Sequence, residues 1–229
     1  MPEIILLLII LIMSAVIHEV SHGLAALWLG DPTAKYAGRL TLNPINHLDL
    51  WGSFLMPLFF LLATGGRFFF AAAKPVPYNP YNLRDQKYGP ALVGLAGPAS
   101  NIIIALVFGI FLRIFMALGI VPLGDVQGVL TSFFSGGGFL GAGAGVIAII
   151  FILIIFVNVL LAVFNLIPFP PLDGSKLLFA LIPIREETKY MLERYGLFFL
   201  IAFIFLFSGV ISFLLINLEL LFFRAVVGV

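Results

Sequence analysis

The chain has no cysteine among its 229 residues, so disulfides and thiolate sites are excluded and any metal must be held by His, Asp or Glu. Charge is scarce as well. Charged residues make up 10% of the chain, against roughly 25% in ordinary soluble domains, and the net charge of +1 leaves no broad footprint for nucleic acid. The pattern holds no internal repeat, no low-complexity tail and no soluble domain. Met1-Pro2-Glu3 carries no basic residue, and the apolar run behind it outlasts a signal-peptide core, so the first segment reads as a retained membrane helix.

What is present is mostly apolar: 62% of residues are hydrophobic and the mean hydropathy is +1.18. That composition predicts an all-α polytopic membrane protein, a single integral domain over 1–229 in contact with the lipid bilayer. The run Ile4–Leu29 contains no Lys, Arg or Asp, and its only ionisable residues are His18, Glu19 and His22. Positions four apart share one face of a helix, so His18 and His22 can grip one ion. H-E-x-x-H on a helix is a zinc pattern in which the glutamate is the catalytic base. A carboxylate at membrane depth costs at least ~2.5–3.5 kcal/mol, which argues that Glu19 is functional.

Further apolar stretches cover Trp51–Ala73, Ala91–Leu118, Gly141–Ile167 and Tyr195–Phe223, with a Gly-rich link at 134–145. The piece Leu172–Ile184 is 13 residues long, about 20 Å as helix, too short for ~30 Å of hydrocarbon. The reading is therefore one crossing over 141–184, broken by Pro168, Pro170 and Pro171, because irregular backbone at membrane depth needs protein or water to satisfy it. This predicts five crossings, or six if the short piece counts, with a motif core at 4–184 and a terminal helix at 195–223. Five crossings put Arg67, Lys74, Arg84, Lys87, Arg185, Lys189 and Arg194 on one side, and Lys35, Arg39 and Arg224 on the other. The positive-inside rule then predicts a cytoplasmic N-terminus.

A catalytic zinc site normally takes a third protein ligand. Asp173 lies just past the proline break. By rise per residue it is about 16 Å from Ile184, and His18 is about 21 Å from Ile4, measured from the same face. A His, His, Asp set suits zinc. The alternative for Asp173 is capping the helix that starts after Pro171.

Three elements together resemble the site-2 protease family of intramembrane zinc metalloproteases: His18-Glu19-Val20-Ser21-His22, Gly97-Pro98-Ala99-Ser100-Asn101, and Asn165-Leu-Ile-Pro168-Phe-Pro170-Pro-Leu-Asp173-Gly174. The resemblance spans residues 18–174. It implies one Zn2+ per chain held by His18, His22 and Asp173, with Glu19 as base and Asn101 and Asn165 lining the active site. Peptide-binding and nucleotide-sensing appendages of some relatives have no counterpart, so the chain is similar to a compact branch in a prokaryotic cell membrane.

The expected activity is hydrolysis of peptide bonds in transmembrane-helix substrates, with Asn101 or Asn165 donating to the developing oxyanion. Two other classes are weighed: an inactive scaffold that binds membrane helices, and a metal-ion transporter, which would favour an internal repeat. Asn101 can also serve as a helix–helix bond, and Asn165 can satisfy backbone groups freed by the break. Gly38–Asn43 alternates apolar and polar, as a short β segment after the first helix does; an interfacial loop is the competing reading. His47 and Asp49 form an alternative metal pair.

Overall fold

Long runs of Leu, Ile, Val and Ala cannot leave backbone N–H and C=O groups unpaired in lipid, so they close into helices. The computed structural model of the protein describes residues 2–49, 52, 55, 62, 73–135 and 145–229. Its helices are α1 (Pro2–Trp28), α2 (Thr33–Tyr36), α3 (Gly89–Ala117), α4 (Leu123–Phe134), α5 (Val146–Asn165), α6 (Gly174–Leu181) and α7 (Glu186–Phe222), with 3-10 turns at Pro44–His47 and Pro80–Asn82. Among the described residues, four helices are long and apolar enough to cross a membrane: α1, α3, α5 and α7. The expected crossing at Trp51–Ala73 lies, but for a few positions, outside the described residues.

Side-chain pairs fix the directions. His22 meets Val93 and His18 meets Asn101, so α3 runs antiparallel to α1. Asn158 of α5 bonds both Asn101 and Ser14, while Gly145 at its start reaches Asp125 beyond the end of α3. Helix α5 therefore runs parallel to α1. Gly196 lies against Pro170 and Val226 against Gly109, so α7 runs parallel to α3. Helix α3 is central, with α1, α5 and α6 all against it. Only 6% of the most apolar window of α7 is buried, compared with 50% for α5, which makes α7 the lipid-facing outer helix.

The apolar core, built from Ile10, Leu112, Val126, Ile152, Ile155, Phe223 and their neighbours, fills the end of the bundle where α1 begins. The buried polar residues, Glu219 apart, collect in the other half. The proline break, residues 166–173, lies beside the second half of α1, since Asn158 is level with Ser14 and Asp173 with His18.

Two expectations are corrected. No strand occurs among the described residues, and Gly38–Asn43 is a turn. Gly38 takes φ +65, Thr41 Oγ1 accepts the Asn43 N–H, and the Asn43 side chain caps the next 3-10 turn at Ile45. Local side-chain acceptors take the donors that a strand would offer to a neighbour.

The loop charges also divide differently. The Arg84 N–H donates to the Leu29 carbonyl, Arg39 Nη2 to the Lys74 carbonyl, and the Lys74 N–H to the His47 carbonyl. The loops after α1 and before α3 therefore share one end of the bundle. Tyr78 also interacts electrostatically with Glu193, which brings the start of α7 to that end. Lys35, Arg39, Lys74, Arg84, Lys87, Arg185, Lys189 and Arg194 thus sit together, with Arg113 and Arg224 at the opposite end. A cytoplasmic N-terminus rests on a division of loops that the fold does not have.

Candidate metal centre

His18 and His22 stand one turn apart on α1, their rings 4.7 Å between centroids and almost perpendicular. They face α3 at Gly97. A Cβ there would fall 2.5 Å from Nε2 of each ring, so only glycine lets the two helices approach this closely around the pair. Asp173 arrives from the break. It immediately precedes α6, yet its carboxylate makes no capping bond. Gly174 follows because the chain folds back on itself: a Cβ there would sit 2.3 Å from the Leu166 carbonyl oxygen.

The three donor atoms lie within 4.8 Å of one another. Asp173 Oδ2 is 3.0 Å from Nε2 of His18 and 3.0 Å from Nε2 of His22. All three residues are buried.

Hydrogen-bond logic fixes the imidazole tautomers. Asn158 Nδ2 points at the Ile154 carbonyl, 2.8 Å away, which can only accept. Asn158 Oδ1 must then accept from Asn101 Nδ2, also at 2.8 Å, which turns Asn101 Oδ1 toward His18 Nδ1. His18 therefore carries its proton on Nδ1. His22 does too, because its Nδ1 donates to the Val93 carbonyl at 2.7 Å. In the neutral rings both Nε2 atoms are then lone pairs aimed at a carboxylate oxygen. Three converging lone pairs repel one another unless a proton or a metal ion sits among them, and a divalent ion with N and O preference fits this donor set. Among the described residues, no other set of three such ligands occurs.

The remaining expected residues are placed as follows. Glu19 is half-buried beside the cluster, and its Oε2 accepts the Val76 N–H at 2.8 Å. Asn101 is fully buried behind His18 and holds the ring, so it is not at the front of the site. Asn165 turns its amide back to Leu161 of its own helix, at 2.9 Å. His47 is buried and donates Nε2–H to the Thr41 carbonyl, while Asp49 accepts the Gly52 N–H.

Sequence reasoning does not reach several others. Ser14 accepts from Asn158 Nδ2, extending the buried chain that ends at His18. Lys176 bonds the second oxygen of Asp173, and its ammonium lies over the Tyr78 ring. Burial pushes the Tyr78 hydroxyl above its ordinary pKa, with Lys176 opposing and Glu193 and Asp173 reinforcing the rise. The signal for Asn158 is present in the sequence, as the one amide inside an otherwise apolar run before Asn165.

The chain is similar to YwhC of Bacillus subtilis, which carries the name of a zinc metalloprotease: they are 37% identical over 201 residues, covering 86% of this chain and 80% of that one. Rip2 of Mycolicibacterium smegmatis, named in the same way, is 31% identical over 163 residues, covering 71% of this chain and 52% of its own length. No solved structure matches. The sequence model of peptidase family M50 matches residues 6–207, nearly the whole chain, and the chain therefore belongs to family M50, the site-2 protease family.

Proposed function

We propose that the protein is an intramembrane zinc metalloendopeptidase that cuts transmembrane-helix substrates. The observation that carries this reading is the convergence of two tautomer-fixed Nε2 lone pairs and one Asp173 oxygen beside Glu19, at the depth of a membrane-crossing helix. His18, His22 and Asp173 would hold one zinc ion. When bound, zinc supplies Lewis-acid polarisation of a carbonyl and makes water more acidic.

The chain's own residues do the rest. Glu19 Oε2 is anchored by Val76, which aims the carboxylate and leaves Oε1 to take a proton from water and return it to the leaving amine. Asn101 and Val93 hold the imidazoles so that no proton is lost from Nδ1. A substrate helix must unwind to expose its amide, so segments with Gly, Pro or polar residues near the cut are preferred. Collection of the basic loops at one end favours that end as cytoplasmic, with the N-terminus on the far side. Both named relatives are bacterial, and a bacterial cell membrane fits.

The test uses purified protein, a membrane peptide that unwinds readily, and zinc measured on the same samples. Glu19→Gln should keep about one zinc per chain and slow cleavage by about 10²–10⁴. Cleavage by Glu19→Gln at the wild-type rate removes Glu19 from the mechanism. Zinc bound with no cleavage by the wild type leaves a helix-binding scaffold instead.

A further inference from the structure

Asp173 has two oxygens, and only Oδ2 faces the histidines. Its other oxygen, Oδ1, is 3.0 Å from Lys176 Nζ, one turn into α6. The ammonium in turn lies 5.4 Å from the centroid of the Tyr78 ring, and the Lys176 stem runs along Gly94 of α3. Tyr78 belongs to the same short segment as Val76, whose N–H holds Glu19. Lysine in a membrane enzyme is costly to bury, and here its stem, its charge and its aromatic partner are all engaged around a single carboxylate oxygen.

We propose that Lys176 is the positioning residue of the metal centre: by holding Oδ1 it fixes Asp173 as a single-oxygen ligand and keeps a coordination position open for substrate. The inference rests on the zinc reading above. Asp173 sits on irregular backbone between two helices, where its side chain has no capping bond to restrain it. Without Lys176, Oδ1 is free to swing toward the ion, fill the open position or rotate the carboxylate out of line. A nearby cation also opposes a divalent ion electrostatically. That repulsion is offset by Glu19 beside the cluster and by the charge of Asp173 itself, so geometry decides the sign.

The experiment measures zinc affinity by chelator competition on full-length wild type, Lys176→Met and Lys176→Arg, each also followed by thermal unfolding when metal-free. Met keeps the stem against Gly94 and removes the charge; Arg keeps the charge over Tyr78. Lys176→Met should unfold like the wild type without metal and still bind zinc, with Lys176→Arg matching the wild type throughout. Loading with Co2+ gives the deciding readout, since a four-coordinate ion absorbs more strongly in the visible than a five-coordinate one. Those bands should weaken severalfold in Lys176→Met as Oδ1 joins the shell and keep wild-type strength in Lys176→Arg. Unchanged Co2+ bands in Lys176→Met overturn the proposal while the zinc reading stands. Equal weakening in the Met and Arg variants overturns it too, since charge is then not what matters. A wild type that binds no zinc removes the underlying reading instead.

Discussion

Asn101 Oδ1 accepts the Nδ1 proton of His18, and the amide that does so is oriented from Ile154 through Asn158, not by His18 itself. The tautomer of His18 is thus fixed by a backbone carbonyl two side chains away. Replacing Asn101 with Leu keeps the volume and removes the acceptor. The Nδ1 proton is then buried without a partner, and the ring is free to flip or to protonate Nε2. Zinc affinity should fall about 10–100-fold, as when partners behind metal ligands are lost. Chelator competition on the purified variant measures it. Unchanged affinity means that the buried amide chain only joins helices.

Gly97 makes the opposite kind of demand. Alanine there would push its Cβ to 2.5 Å from both rings, and the ring atoms cannot retreat because Nδ1 of each is tied. Gly97→Ala should destabilise by about 1–3 kcal/mol and scatter the donor atoms. Gly209→Ala is the matched control, since nothing lies within 4 Å of its Cβ position. Thermal unfolding of the two variants in detergent gives the comparison, and equal transitions would mean that α1 and α3 separate easily.

Periodicity is local, so the pair His18 and His22 can be read directly from a helical run. Asp173 is legible as the acid just past the proline break and as part of the matching Asn165–Gly174 element, but not by depth: that comparison takes Ile4 and Ile184 on one face, and the fold puts them at opposite ends of the bundle. The partner of a buried amide cannot be read that way. Asn158 is visible as an anomaly in an apolar helix, yet nothing in the chain says that it faces Asn101 and Ser14. The loop division fails for the same reason. Composition makes 51–73 resemble a crossing, a stretch that lies almost wholly outside the described residues, and the bond from Lys74 to His47 joins its two described flanks at one end of the bundle. The alternation at 38–43 is real, but Thr41 and Asn43 satisfy the local backbone and leave no ladder to form. Lys176 is hidden because a lysine three residues after an aspartate usually signals only a helix-surface pair.

Metal removal should register as stability as well as activity. The donor lone pairs repel in the absence of a cation, and an ion that binds only the folded state stabilises it by about 2.7 kcal/mol at a concentration one hundred times its Kd. Chelation of the wild type should lower the unfolding temperature, and zinc should restore it. Asp173→Ala should abolish the zinc-dependent shift, whereas Glu19→Gln should keep it, because Glu19 is outside the set of three. A zinc shift of wild-type size in Asp173→Ala would take Asp173 out of the ligand set.

Asp31 ties the loop after α1 to the loop before α3. Its side chain is fully buried and accepts bonds from Thr33 N–H and Oγ1, Asn79 N–H and Asn82 Nδ2. Burial alone would raise its pKa, but these donors together hold it below the ordinary aspartate value of 3.8. A carboxylate whose folded pKa is depressed contributes stability that is complete above the unfolded pKa and fades as pH falls through the folded one. The contribution should therefore be constant from neutral pH down to about pH 4 and decline only below that. Asn in its place keeps the shape but turns an NH2 toward donors, costing about 1.5–3 kcal/mol at neutral pH if one charged hydrogen bond is lost. The gap between wild type and Asp31→Asn, followed by thermal unfolding from pH 7 to pH 3, should be widest at pH 7 and narrow only at the acid end. A gap that instead widens on acidification would mean that the buried group is protonated in the fold and that its four donors do not act on a carboxylate.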